Sequence, residues 1–134
     1  MIAGWMASYL NANTSLVFGT NLFASTMPDM PDNAVAIFDE SGPSEGYQNE
    51  YASDTGGISV YCRGSYGFVT EWSWKIHNGI VNLTNIDAGD FYMKSIRIQS
   101  TPEHIELDQN GRRRVFAHYH VLINQKTAGN RQLL

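Results

Sequence analysis

ISVYCRGSYGFVTEWSWKIHNGIVNL, residues 58–83, changes its period partway along. Up to Gly64 the residues Ile58, Val60 and Cys62 alternate with polar or smaller neighbours, the two-residue repeat of a strand with one buried face. From Ser65 onward Val69, Trp72, Ile76, Ile80 and Leu83 recur at spacings of three and four, which gathers them on one stripe of a helix. Ser65 stands at the N-cap position, where its hydroxyl can accept from the first turn. The stretch predicts a strand that runs directly into the principal helix. Trp74 falls off the stripe and is a candidate exposed aromatic for a partner surface.

Upstream, MIAGWMASYL places Ile2, Trp5, Met6, Tyr9 and Leu10 on one helical face, and Asn11–Thr14 end that helix. The following SLVFGTNLFASTMPDMPDN contains two prolines that forbid a continuing helix. It reads as short extended pieces and a rigid turn leading to a strand, AVAIFD, over 34–39. Residues 40–57, ESGPSEGYQNEYASDTGG, read as a long loop or as a hairpin whose strands pair only in an assembly. Asp39, Glu40, Glu45, Glu50 and Asp54 make this segment acidic, a candidate lumen-facing or partner-facing loop.

Downstream, NIDAGD reads as a polar turn and FYMKSIRIQS, residues 91–100, as a half-exposed strand that Pro102 interrupts. A last strand, 115–124, carries Val115, Ala117, Tyr119, Val121 and Ile123 on one face. Residues 125–134 show no pattern and are expected to form a mobile tail. The predicted fold is α+β: a small, mainly antiparallel sheet packed on one principal helix, with a short N-terminal helix and a long acidic loop, in a single domain over 1–134.

DQNGRRR, residues 108–114, raises the question of a nucleic-acid grip. Asn110-Gly111 predicts a two-residue hairpin turn with positive φ at both positions, so the arginines open the returning strand. Alternation then separates Arg113 from Arg112 and Arg114, and Glu103, Glu106 and Asp108 on the incoming arm can neutralise them. With nine Lys and Arg against thirteen Asp and Glu, the chain lacks the basic field that phosphate binding needs. Arg112, Arg113, Arg114, Glu106, Asp108 and Trp74 are therefore the candidates for a subunit or partner interface.

Charge is divided along the chain. Residues 1–62 hold seven acids and no base, and the rest hold nine bases and six acids, which gives −7 and +3. That asymmetry suits head-to-tail packing of copies unless folding intermixes the halves. No run of apolar residues is long enough for a membrane span and no basic leader opens the chain, so a protein kept in the cytosol is expected. Cys62, the one cysteine, excludes an internal disulfide and reads as a buried thiol. His118 and His120 share a strand face and could bind a metal with His104 or Glu106, but the spacing does not require it. No phosphate loop, HExxH or GxSxG motif is present. No metal, cofactor or catalytic residue is expected.

Taken together, NLFASTMPDMPDNAVAIFD, ISVYCRGSYGFVTEWSWKI and IQSTPEHIELDQNGRRRVFAHYHVLIN resemble the minor capsid proteins and tail terminators of long-tailed bacteriophages. The resemblance rests on Leu22-Phe23 ahead of a P-D-x-P-D-N turn (Pro28, Asp29, Pro31, Asp32, Asn33), on Arg63-Gly64 ahead of the helix, and on Pro102 leading to Asp108, Gly111 and Arg112. It spans roughly residues 15–124. The family's usual glycine pair after the first strand is replaced by ESGPSEG. The resemblance implies a virion protein, assembled in the host cytoplasm, that forms a hexameric ring on the tail tube. Such a ring stops tube growth and meets a neck or head-completion protein, with DNA passing through unbound and no membrane involved. A head-side connector or stopper, or a small non-catalytic binding module, is the alternative.

Overall fold

The computed structural model describes residues 2–41 and 53–125. The elements are α1 (Ile2–Asn13), β1 (Leu22–Ala24), β2 (Ala34–Ser41), β3 (Ser53–Gly64), α2 (Tyr66–Ile80), β4 (Thr84–Asp87), β5 (Phe91–Ile105) and β6 (Arg113–Gln125). The strands form one sheet of order β1-β2-β3-β6-β5-β4, in which β1 runs parallel to β2 and every other pairing is antiparallel. This is an α+β fold dominated by its sheet.

Both helices pack on the same sheet face. Ile37 of β2, Ile58, Val60 and Cys62 of β3, and Ala117, Tyr119 and Val121 of β6 form the floor of the core. Val69, Trp72, Ile76 and Ile80 of α2 close it from above as the periodicity predicts, and Leu83, beyond the helix end, packs against it half-buried. Ser65 caps α2, its Oγ accepting from the Phe68 N–H at 3.2 Å. On α1 the buried side is Ile2, Ala3, Met6, Ala7 and Leu10, while Trp5 and Tyr9 stack at its margin with centroids 5.4 Å apart. The two alanines let this helix lie close to the sheet. Asp39 of β2 holds its first turn, accepting from the Ala3 N–H at 2.9 Å.

Three expectations need correction. Residues 40–57 are not loop throughout: β2 reaches Ser41, and β3 begins at Ser53 with a continuous register against β6 from Ser53↔Asn124 to Gly64↔Arg113. Pro102 does not end its strand. β5 continues to Ile105, with register shifts flanking the proline between Ser100 and Glu103. The proline is tolerated because β4 pairs only with Tyr92–Ser95, so this part of β5 is a sheet edge where a missing N–H breaks no described ladder. The hairpin turn also differs: only Gly111 has positive φ (76°), and Gly111 N–H donates to the Asp108 carbonyl at 3.0 Å. That is the longer type I turn with a left-handed glycine after it.

A buried pair that the periodicity does not single out links helix and sheet. His77 of α2 and Tyr119 of β6 meet at 2.6 Å, Nδ1 to hydroxyl, in the core. Burial lowers the His77 pKa below its ordinary 6.5 and raises that of Tyr119, so the pair is neutral, with the phenol donating to the imidazole. The unfolded chain then binds a proton on this histidine more readily than the folded one. Stability therefore declines as pH falls below about 6.5, down to the folded pKa. The melting temperature should be lower at pH 5.0 than at pH 7.5, and the difference should shrink in His77→Gln. An unchanged difference in that variant would assign the effect to other groups.

Candidate functional site

The sheet has two chemically different ends. At one, the register brings together the end of β2 (Asp39, Glu40), the start of β3 (Asp54) and the β4–β5 turn (Asp87, Asp90). Glu40 reaches His118 across the small residues Gly57 and Ser59, Oε1 to Nδ1 at 3.2 Å. Glu45 and Glu50 of the acidic segment lie outside the described residues, as do the side chain of Asp54 and the tail beyond Gln125.

At the other end, three separated pieces of sequence converge. The turn Pro28–Asn33, which contains a cis peptide at Met30-Pro31, folds over the end of β3. Arg63, only 3% exposed, fills it: its guanidinium donates to the carbonyls of Pro28 (2.8 Å), Asp29 (3.3 Å), Asp32 (3.2 Å) and Pro31. A planar fork with five donors suits a ring of carbonyls in a way that a point charge does not. Next to it, Asn33 Oδ1 accepts from Ser65 N–H at 3.0 Å, tying the turn to the start of α2. Gly64 sits against Asn33 with φ +147°.

The β5–β6 hairpin tip closes the same corner. Asp108 accepts from the Asn110 and Arg112 N–H groups, both at 2.9 Å, and from Arg112 Nε at 2.7 Å. Desolvation would raise its pKa, but these hydrogen bonds and the adjacent guanidinium outweigh it and hold the carboxyl below its ordinary value. Arg112 also binds the turn, to Asp29 Oδ1 at 3.0 Å, Asp32 Oδ1 at 3.2 Å and the Asp29 carbonyl at 2.6 Å. Its side chain is 11% exposed, whereas those of Asp29 and Asp32 are 76% and 68% exposed.

The arginines thus have partners within the chain that their spacing does not reveal. Arg112 is neutralised by Asp108 and by two acids from about eighty residues upstream. Arg114 Nε donates to the backbone carbonyl of Glu106 rather than to its carboxylate. Arg113, on the opposite face, lies over the Tyr66 ring, which in turn stacks on His104. Folding therefore intermixes the charge halves at this end, and the basic side expected from the composition is not formed there. Trp74 is 44% exposed on α2, edge-on to His77. Cys62 is buried, its thiol pushed up to about 12, which makes it inert. No group of three metal ligands occurs among the described residues.

Arg63 and Asn33 act as the organisers of the corner. The signal of this in the sequence is a lone base closing an otherwise apolar strand, and a turn with Asp-x-Pro-Asp-Asn ahead of β2.

The corner is built from main-chain carbonyls and ion pairs. The chain belongs to the bacteriophage tail terminator family, described as "Bacteriophage tail terminator protein", whose model matches residues 9–117. The match includes every residue that builds the corner. Membership makes this a phage tail protein with a structural, tail-completion role. No curated protein sequence matches the chain closely enough to count as a relative. One solved structure superposes over 92% of this chain and 90% of its own, with 7% identity and a TM-score of 0.49. No helix among the described residues is long and apolar enough to cross a membrane.

Proposed function

We propose that copies of this chain close into a ring, a hexamer, on the head-proximal end of the tail tube. The ring ends tube growth and presents a surface to the neck or head-completion protein. The observation that carries the reading is the family match over residues 9–117. A ring needs heterologous contacts between two different patches of each subunit. The acidic end and the turn–hairpin corner are two such patches at opposite ends of the sheet. On this reading the acidic end, with Asp39, Glu40 and Asp54, faces the lumen or the adjoining tube. Repulsion of phosphate there lets DNA pass without binding. The chain has no catalytic role in it, and it resides in the virion tail after assembly in the host cytoplasm.

The corner supplies rigidity more than intersubunit charge. Because Arg112 is held within its own chain, Arg113 with Tyr66, Leu107 and Trp74 are the better interface candidates, all of them exposed. The test is the solution mass by light scattering at low and moderate salt, with and without the cognate tube protein. The expected result is a sixfold multiple of the 15.0 kDa chain, alone or once the tube is present. A persistent 15.0 kDa species that ignores the tube would overturn the ring and favour a head-side connector.

A further inference from the structure

The two lateral edges of the sheet carry exposed apolar side chains that the fold leaves uncovered. At the β1 edge, the turn ahead of the strand presents Val17 and Phe18, 49% and 43% exposed. Phe18 N–H donates to Asn11 Oδ1 at 2.9 Å, which sets the pair beside the last turn of α1. That turn contains no basic residue, so the partial negative charge of the helix's terminal carbonyls is not met by a base of its own.

At the other edge α2 packs mainly over β3 and β6 and leaves a shelf on β5. Ile98 is paired with buried Tyr119 and so points to the helix side, yet it is 49% exposed. Trp74 of α2 stands beside it, edge-on to the His77 ring at 5.2 Å, and His77 in turn bonds Tyr119. Two turns earlier on α2, Tyr66 stacks on His104 with centroids 5.6 Å apart and lies under the exposed Arg113 guanidinium. Trp, Tyr and Arg are the side chains that most often anchor interfaces. Leu22 pairs with Val35 near the start of β2, and Gly64 at the end of β3 pairs with Arg113, so both patches lie toward the corner end of the sheet.

Strand addition does not join such edges. On β1 the outward Leu22 carbonyl already accepts from Gly19 N–H at 2.8 Å. Beyond Ser95, where β4 stops, β5 carries register shifts and Pro102. Both features blunt an edge, so side chains must make the contact.

We propose that the Val17–Phe18 turn of one copy packs on the α2–β5 shelf of the next, an inference that rests on the ring reading and names its subunit interface. Phe18 and Val17 cover Trp74 and Ile98, and Arg113 faces the C-terminal carbonyls of α1, where a cation is favoured. Residues 1–62 hold no Lys or Arg, so the incoming edge brings no base to oppose Arg113. The two patches differ and lie at opposite lateral edges, so the contact is heterologous and repeats from copy to copy. It leaves the acidic end of every subunit on the same rim.

Thiol trapping in the full-length protein, in the presence of the tube protein, tests this, since buried Cys62 does not compete. Phe18→Cys protein is mixed with Ile98→Cys protein and a short bis-maleimide, and the cross-linked pair is followed on gels. The control replaces Ile98→Cys with Ser8→Cys, an exposed position on α1. Docking raises the local thiol concentration, so the first pair should cross-link about tenfold faster than the control or better. Arg113→Gln in the Ile98→Cys chain should slow it about two- to fivefold, and an unchanged rate would strike the helix-end contact. Equal rates for pair and control would overturn the proposal. Light scattering on the same samples separates it from the ring: a ring with equal rates overturns this interface alone, and fast trapping without a ring keeps the contact and removes the ring.

Discussion

Gly64→Ala should lower stability by about 3–5 kcal/mol, roughly a 10–15 °C fall in melting temperature for a chain of this size. Gly64 has φ +147°, a conformation that costs a residue with a Cβ about 1–3 kcal/mol. A Cβ built there would lie 2.1 Å from Asn33 Oδ1 and 2.9 Å from Asn33 Cα. The side-chain oxygen could swing away only by giving up its 3.0 Å bond to Ser65 N–H, and the backbone atom could not swing at all. Relieving the overlap would push the turn off the end of β3, adding an overpacking cost of about 1–3 kcal/mol. Gly67→Ala, inside α2 with open space at the added methyl, provides the contrast: it should raise stability by about 0.5–1 kcal/mol. A Gly64→Ala protein that melts within about 2 °C of wild type would show that the corner is not rigidly packed.

The parts of this fold that were legible are those whose signal is local. The stripe Val69, Trp72, Ile76 and Ile80 is written into the sequence at the helical period, and the same residues are buried on α2. In the sequence Gly56 and Gly57 close a segment, 40–57, that reads as a loop or as a hairpin paired only in an assembly, because glycines usually punctuate chains. In the structure Gly56 lies on β3 beneath α1, where a Cβ would come within 2.7 Å of Ile2 Cδ1. Here the glycine makes room for a helix that passes over the strand, a reason visible only once α1 is placed. Pro102 is ambiguous in the sequence for a similar cause, since whether a strand tolerates proline depends on whether its neighbour reaches that far, and β4 does not.

The site divides in the same way. Asp108 and Arg112 are four residues apart, and their pairing was expected. The bonds from Arg112 to Asp29 and Asp32, and from Arg63 to four carbonyls of the turn, join positions 31 to 83 residues apart. No period or spacing encodes such contacts. The resemblance to a family did group these residues, because it preserves their order without stating why they occur together. Their meeting at one corner supplies the physical reason.

Arg63→Leu should be comparably damaging, at about 3–5 kcal/mol. The leucine fills part of the space but leaves the carbonyls of Pro28, Pro31 and Asp32 without their buried donor, the Asp29 carbonyl keeping Arg112, and each acceptor left unmet is costly. Arg63→Lys keeps the charge yet cannot address four carbonyls from a plane, so it should recover less than half of the loss. The Asp29 carbonyl accepts from both Arg63 and Arg112, so the turn is held from the strand side and the hairpin side at once. Combining Arg63→Leu with Arg112→Gln should therefore destabilise by less than the sum of the single changes, because once either arginine releases the turn the other has less ordered structure to hold. Amide exchange reports the same coupling locally: in Arg63→Leu the hairpin amides of Asn110 and Arg112, which donate to Asp108, should exchange faster although no substitution touches them. Strict additivity together with unchanged hairpin exchange would mean that turn and hairpin are independent, and the corner would then be two adjacent features instead of one rigid unit.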